Sequence, residues 1–196
     1  MAAALLDLPT VTLPAAPAQD HELVARTLRG DPEAFAGLVE RYDRAVYHLA
    51  YRTLRDQEEA KDVAQEAFFK AYRSLRTFKP SMRFSTWIFA ITYHASCDRL
   101  NRRKRYSNEE LPDRADPSAG PAESVIAGDE ARQLRDAIAA LPQKYRAVVT
   151  LYHLQGRQYE EIATVLQIPI GTVKTHLFRA KEQLRRMLSH NGAEVH

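Results

Sequence analysis

The 196-residue sequence predicts an all-α protein of two small helical domains joined by an acidic flexible linker. Three observations lead there. Apolar residues recur at three-four spacing along most of the chain, and no stretch alternates with the period of a strand. Proline, glycine, serine and acidic residues crowd positions 106–125, where no period survives. Charge is divided unevenly: Lys and Arg against Asp and Glu number 17 against 11 in residues 21–105, one against five in 106–125, and ten against seven in 126–196. The net charge of +3 hides this division. Two basic blocks flanking an acidic connector suit two nucleic-acid-facing modules better than one basic protein.

Each element follows in order. Residues 1–20 are rich in Ala, Leu and Pro, lack Lys and Arg and contain Asp7 and Asp20, so they read as a tail and not as a secretory or transit segment. Gly30-Asp31-Pro32 starts a helix, with Asp31 as N-cap and Pro32 in the first turn. Phe35, Leu38, Val39, Tyr42, Val46 and Leu49 carry it to about Leu54. Asp56-Gln57-Glu58-Glu59 resembles a capping box opening a second helix, whose buried stripe is Ala60, Val63, Ala64, Ala67, Phe68 and Leu75. Pro80 and Ser81 set a loop over 79–84. Ser85 or Thr86 is the expected cap of a third helix, with Trp87, Ile88, Ile91, Ala95 and Leu100 apolar. Arg102-Arg103-Lys104-Arg105 suits its negative end. After the linker come a short helix through Leu134, Ile138 and Leu141, a helix over about 144–154, another over 159–166 and a last one to about Leu188.

Several function classes are excluded early. No apolar run approaches the ~20 residues of a membrane helix, so no membrane insertion is expected. The single cysteine, Cys97, forms no intrachain disulfide. A cytoplasmic protein follows. No Gly-rich phosphate loop is present. His94 and Cys97 are three apart but have no further ligand nearby, so no metal or cofactor is expected.

Residues 159–187 have helix-turn-helix grammar. Tyr159–Leu166 is amphipathic, Ile168-Pro169-Ile170-Gly171 breaks the chain, and a helix opens at Thr172. Val173 and Leu177 face inward. Lys174, Thr175, Phe178 and Arg179 then face outward near its start, where a recognition helix meets base edges. Lys181, Arg185 and Arg186 continue along it as phosphate contacts. Gln167 stands where such turns often carry glycine.

Asp62-Val63-Ala64-Gln65-Glu66-Ala67-Phe68, Phe84-Ser85-Thr86-Trp87-Ile88, Leu141-Pro142, Tyr159-Glu160-Glu161-Ile162-Ala163 and Gly171-Thr172-Val173-Lys174 occur in that order. In this the chain resembles the bacterial extracytoplasmic-function sigma factors over about residues 20–190. The resemblance implies a sigma-2 domain (21–105) and a sigma-4 domain (126–190), between a tail (1–20), the linker (106–125) and a short end (191–196). It implies that the first domain docks on the clamp helices of core RNA polymerase and reads the −10 element, and that the second docks on the flap tip and reads the −35 element. It implies no catalytic chemistry of the chain's own, and an anti-sigma factor as a further partner.

Asp62, Gln65 and Glu66 share one helical face. Alone they read as a solvated surface; the resemblance assigns them to core polymerase. Phe78, Lys79, Arg83, Phe84 and Trp87 mix aromatics and cations around one loop, a composition that suits stacked, unpaired bases. The alternative reading puts Phe84 and Trp87 in the core, and Trp87 is expected there. The resemblance places capture of a flipped −10 base here, carried over to Lys70, Ser74, Phe78, Lys79, Phe84 and His94. Two rival readings are weaker. A response-regulator-like transcription factor lacks its βαβ receiver in residues 21–105, and a nucleic-acid enzyme lacks grouped metal ligands.

Overall fold

The computed structural model describes residues 17–106 and 129–191, all of whose regular elements are helical. In order they are α1 (Pro17–Leu28), α2 (Pro32–Leu54), α3 (Gln57–Ser74), a 3-10 turn (Leu75–Thr77), α4 (Phe84–Tyr106), α5 (Asp129–Ala140), α6 (Gln143–Val149), a π turn (Thr150–Leu154), α7 (Tyr159–Leu166) and α8 (Ile170–Asn191). The chain divides into two compact units, one built on α1–α4, the other on α5, α6, the start of α7 and α8. The expected linker, apart from Tyr106 at the end of α4, lies outside the described residues.

In the first unit the caps act as the residue types require. Asp31 Oδ1 accepts from the backbone N–H groups of Glu33 and Ala34, at 3.1 and 3.3 Å, while Oδ2 takes both Nε and Nη2 of Arg26. That Arg26 contact holds the Asp31 carboxyl below the usual carboxylate range. Asp56 accepts from Glu59 N–H at 2.9 Å. The Glu59 carboxylate takes Arg103 of α4 at 3.2 Å, so it ties two helices together. Arg55, at φ 58°, ends α2 in the left-handed region and donates its N–H to the Tyr51 carbonyl. Leu38, Tyr42, Val46 and Leu49 of α2 meet Phe84, Ile88 and Phe89 of α4 in the core, all 2 % exposed or less.

In the first unit two boundaries differ from the sequence reading. α4 begins at Phe84, with Arg83 accepting from Trp87 N–H, so Ser85 and Thr86 are buried in the first turn and are not caps. The expected tail ends early, because α1 starts at Pro17. Asp20, 3 % exposed, accepts from the Tyr42 hydroxyl at 2.5 Å and from Arg41 Nη1 at 2.9 Å. His21 Nε2 lies 3.3 Å from the Met82 carbonyl, so α1 ties α2 to the loop before α4.

The second unit is closed by Leu134, Ile138, Leu141, Tyr145, Val148, Val149 and Leu151, together with Val173, Leu177, Ala180 and Leu184 of α8. Arg146 is buried and donates to the Ala139 and Leu141 carbonyls, a cation seated at the C-terminal end of α5. The helix expected over 144–154 is regular only to Val149. Gln155 N–H then reaches back five residues to the Thr150 carbonyl at 3.1 Å. Gly156 follows at φ 60°. Arg157, 7 % exposed, donates to the Gln155 carbonyl and pairs with Glu161, which fixes the approach to α7.

His153 Nε2 and His176 Nδ1 are buried without a hydrogen-bond partner among the described residues. Burial lowers the pKa of both; Lys181 adds to this at His153, and Lys144 and Arg179 at His176.

Two stability predictions follow from these contacts. Asp20→Ala removes the acceptor of the Tyr42 hydroxyl bond and one of the two partners of the Arg41 guanidinium, which keeps Gln19, and costs about 1.5–3 kcal/mol in chemical denaturation followed by Trp87 fluorescence. For the histidines, the unfolded chain takes up protons below pH ~6.5 while the folded unit resists them until lower pH. The stabilisation is therefore present above pH ~6.5 and lost as pH falls toward the depressed folded values. The midpoint of thermal unfolding should drop between pH 7.5 and 5.5, and a His153→Leu, His176→Leu variant should show a smaller drop.

Candidate nucleic-acid and polymerase interfaces

Spacing alone gives α8 two faces. Val173, Leu177, Ala180 and Leu184 repeat at four, three and four, and all are buried. That turns Lys174, Thr175, Phe178, Arg179, Lys181 and Arg185 outward, and all six are exposed. Phe178 is 71 % exposed, an aromatic ring standing in solvent among cations. Thr175 donates its hydroxyl proton to the Gly171 carbonyl at 2.9 Å, so it offers a base edge its lone pairs and methyl group. Arg186 is paired with Glu182.

The turn into α8 is tight. Ile168 N–H donates to the Ala163 carbonyl, and Gln167 takes φ 55°, the left-handed conformation for which glycine is the usual residue. The helix opens at Ile170, two residues earlier than expected, because the Pro169 carbonyl accepts from both Thr172 and Val173. Gly171 therefore lies inside the first turn. A Cβ there would meet nothing within 4 Å, so the protein's own packing does not require the glycine. Its bare backbone leaves the start of α8 open to close approach.

On α3 the structure brings Asp62, Gln65 and Glu66 together on the exposed face, opposite Ala60, Val63, Ala64 and Ala67. Asp62 lies 3.8 Å from Arg99 of α4. Asp62 and Gln65 edge a groove lined by Val39, Asp43 and Tyr47 of α2 and by Phe68 of α3. The same face continues into two aromatics that sequence reasoning missed, Phe69 at 62 % and Tyr72 at 49 % exposed. Arg73 covers the Phe69 ring, and Tyr72 packs edge-on against Phe35. The steps from 62 through 65 and 66 to 69, 72 and 73 are the signal that could have found them.

The residues carried over for −10 contact do not form one pocket. Lys70 and Lys79 are exposed, and Ser74 is half-buried and donates to the Lys70 carbonyl. Phe84 is fully buried and Phe78 is 8 % exposed, so neither presents a ring face to a base. They instead interlock with each other and with Trp87 at 5.4–5.8 Å, Phe78 also meets His21 at 5.8 Å, and together they hold the loop in place. Trp87, expected in the core, is only half-buried. His94 lies ten residues along α4 from Phe84, about 15 Å at 1.5 Å per residue. Its Nε2 has no hydrogen-bond partner among the described residues. Among the described residues no third ligand joins His94 and Cys97, and no helix is long and apolar enough to cross a membrane.

Known proteins share this arrangement. Residues 38–106 match the family model for sigma-70 region 2, and residues 131–184 match that for sigma-70 region 4. The chain is 39 % identical over 186 residues to the RNA polymerase sigma-H factor of Pseudomonas aeruginosa, covering 87 % of this chain and 94 % of that protein. It is 34 % identical over 177 residues to the ECF RNA polymerase sigma factor SigW of Bacillus subtilis, covering 84 % and 94 %. Among solved structures, the sigma factor RpoE of Bartonella quintana, crystallised with the anti-sigma factor NepR, has the same fold. Its TM-score is 0.70 at 21 % identity, over 79 % of this chain and 96 % of that one. A region 2 helical unit, a region 4 helix-turn-helix unit and full-length relatives of one kind agree: the chain belongs to the extracytoplasmic-function sigma factors, which direct promoter-specific transcription initiation by RNA polymerase.

Proposed function

We propose that the first unit joins core RNA polymerase through Asp62, Gln65 and Glu66, with Phe69 and Tyr72 as the apolar centre of the contact. Charged residues at a rim steer association, while desolvated aromatics supply most of the binding energy. The same unit holds the single-stranded −10 element through Lys70, Lys79 and the half-exposed Trp87, with Ser74 and His94 at its margins. The second unit reads the −35 duplex with Lys174, Thr175, Phe178 and Arg179, while Lys181 and Arg185 hold phosphates. The observation that carries this reading is the sorting of α8, with every apolar residue of its stripe buried and every assigned contact exposed. The chain works in the cytoplasm without a cofactor, the polymerase supplies the chemistry, and an anti-sigma factor covers the protein when it is idle.

In vitro transcription with purified core enzyme and a library of randomised promoters tests both halves. Wild type should enrich one −35 and one −10 sequence. Arg179→Ala should relax the preference at one −35 position by about 1–3 kcal/mol, roughly 5- to 150-fold. Asp62→Arg with Glu66→Arg should abolish holoenzyme assembly at unchanged helicity. Normal assembly by that folded variant, or an unaltered order of −35 preference in Arg179→Ala, contradicts the corresponding half.

A further inference from the structure

The contacts assigned so far to the −35 duplex all lie on α8, yet a row of side chains leads away from that helix to the start of α6. Lys144 is exposed, and its Nζ stands 5.1 Å from the centre of the Tyr145 ring. Tyr145, 5 % exposed, meets the His176 ring of α8 edge-on at 5.4 Å. Lys144 and Arg179 are the two charges that act on His176. Thus Lys144 and the Tyr145 ring reach the His176 ring of α8, and Arg179 follows His176 by three residues on the same helix.

The geometry of a duplex gives this row a use. A helix with its side chains is about 10–12 Å across, and the major groove is about 12 Å wide. A helix lying in the groove therefore has a phosphate strand along each flank. On a helical wheel of 3.6 residues per turn, His176 and Arg179 fall on one flank of α8, with Lys174, Lys181 and Arg185 toward the other. Lys181 and Arg185 supply cations to the second strand. On the first flank Arg186, seven residues beyond Arg179, is paired with Glu182, and Lys144 is a further cation there.

We propose that Lys144 is a further contact to the DNA backbone, holding a phosphate of the strand that runs along the Arg179 flank, and that Tyr145 is the shelf that positions it. This rests on the reading of α8 as the duplex-binding helix. An ammonium on a long flexible stem loses side-chain entropy when it is held in one place. The Tyr145 face attracts and orients that ammonium before DNA arrives, and the buried edge-on contact to His176 fixes the Tyr145 ring relative to α8. The ligand is the phosphodiester backbone of duplex DNA of any sequence, so Lys144 adds affinity and no base preference.

The test measures binding of the full chain to a randomised 30-base-pair duplex pool across a salt series, with wild type, Lys144→Gln, Lys144→Arg and Arg179→Ala, followed by sequencing of the bound fraction. Losing one phosphate contact lowers the slope of log K against log salt by about 0.9, roughly a five-fold loss near 0.15 M salt. Lys144→Gln should show that loss with the order of sequence preference unchanged, and Lys144→Arg should restore the slope. An unchanged slope in Lys144→Gln, with a changed preference in Arg179→Ala, overturns the Lys144 contact and leaves the reading of α8 standing. If wild type enriches no sequence and Arg179→Ala changes nothing, the reading of α8 fails and the Lys144 contact fails with it.

Discussion

The functional surface of the second unit depends on one constraint: the burial of Val173, Leu177, Ala180 and Leu184 along a single stripe of α8. Each fully buried Val or Leu contributes on the order of 1.5–3 kcal/mol. An exposed i,i+4 pair such as Glu182–Arg186 contributes about 0.3–0.5 kcal/mol. Packing against α5 and α6, and not surface charge, therefore sets the rotation of α8 about its axis. Once that rotation is set, Lys174, Thr175, Phe178 and Arg179 have no side to occupy but the outer one. The cations add affinity for a polyanion, but they do not choose the direction in which they point.

The first unit solves a different problem. Its aromatic residues divide into rings that build the loop before α4 and rings that reach the surface. Phe78 and Phe84 belong to the first group, and Phe69, Tyr72 and part of Trp87 to the second. Helix α1 reinforces the loop through His21 at the Met82 carbonyl, and it is held in turn by Asp20 on Tyr42. On the proposed reading, in which this loop meets an unpaired strand, such support favours binding, since an ordered loop loses less entropy when it binds.

Much of this was legible in the amino-acid sequence, for physical reasons that also explain the failures. Helix α2 was readable from its cap to its last turn because Asp31, Pro32 and a sustained apolar period all point the same way. The two faces of α8 were readable because a period of 3.6 separates them without knowledge of the rest of the fold. Helix α1 was missed because its opening, Pro17-Ala18-Gln19-Asp20, has no apolar period. Its anchoring group is a carboxylate, which sequence reading places on the surface until Tyr42 and Arg41 are seen to meet it. The resemblance assigns Phe78 and Phe84 to the −10 strand, and composition near a loop says which rings are present but not that both are covered. Phe69 was overlooked beside Phe68, although one residue along a helix turns a side chain by about 100° and out of the core. The π turn at Thr150–Leu154 has no sequence signature, since it depends on one carbonyl accepting from five residues ahead.

The central claim is that the outward face of α8 lies in the major groove of the −35 element when the protein is on the polymerase. Site-specific photocrosslinking tests it most directly, with a photoreactive residue in place of Phe178 in the assembled holoenzyme bound to promoter DNA. The account predicts crosslinks to bases within the −35 duplex, and none within the −10 region. Crosslinks to polymerase subunits alone, or to −10 bases, would contradict it.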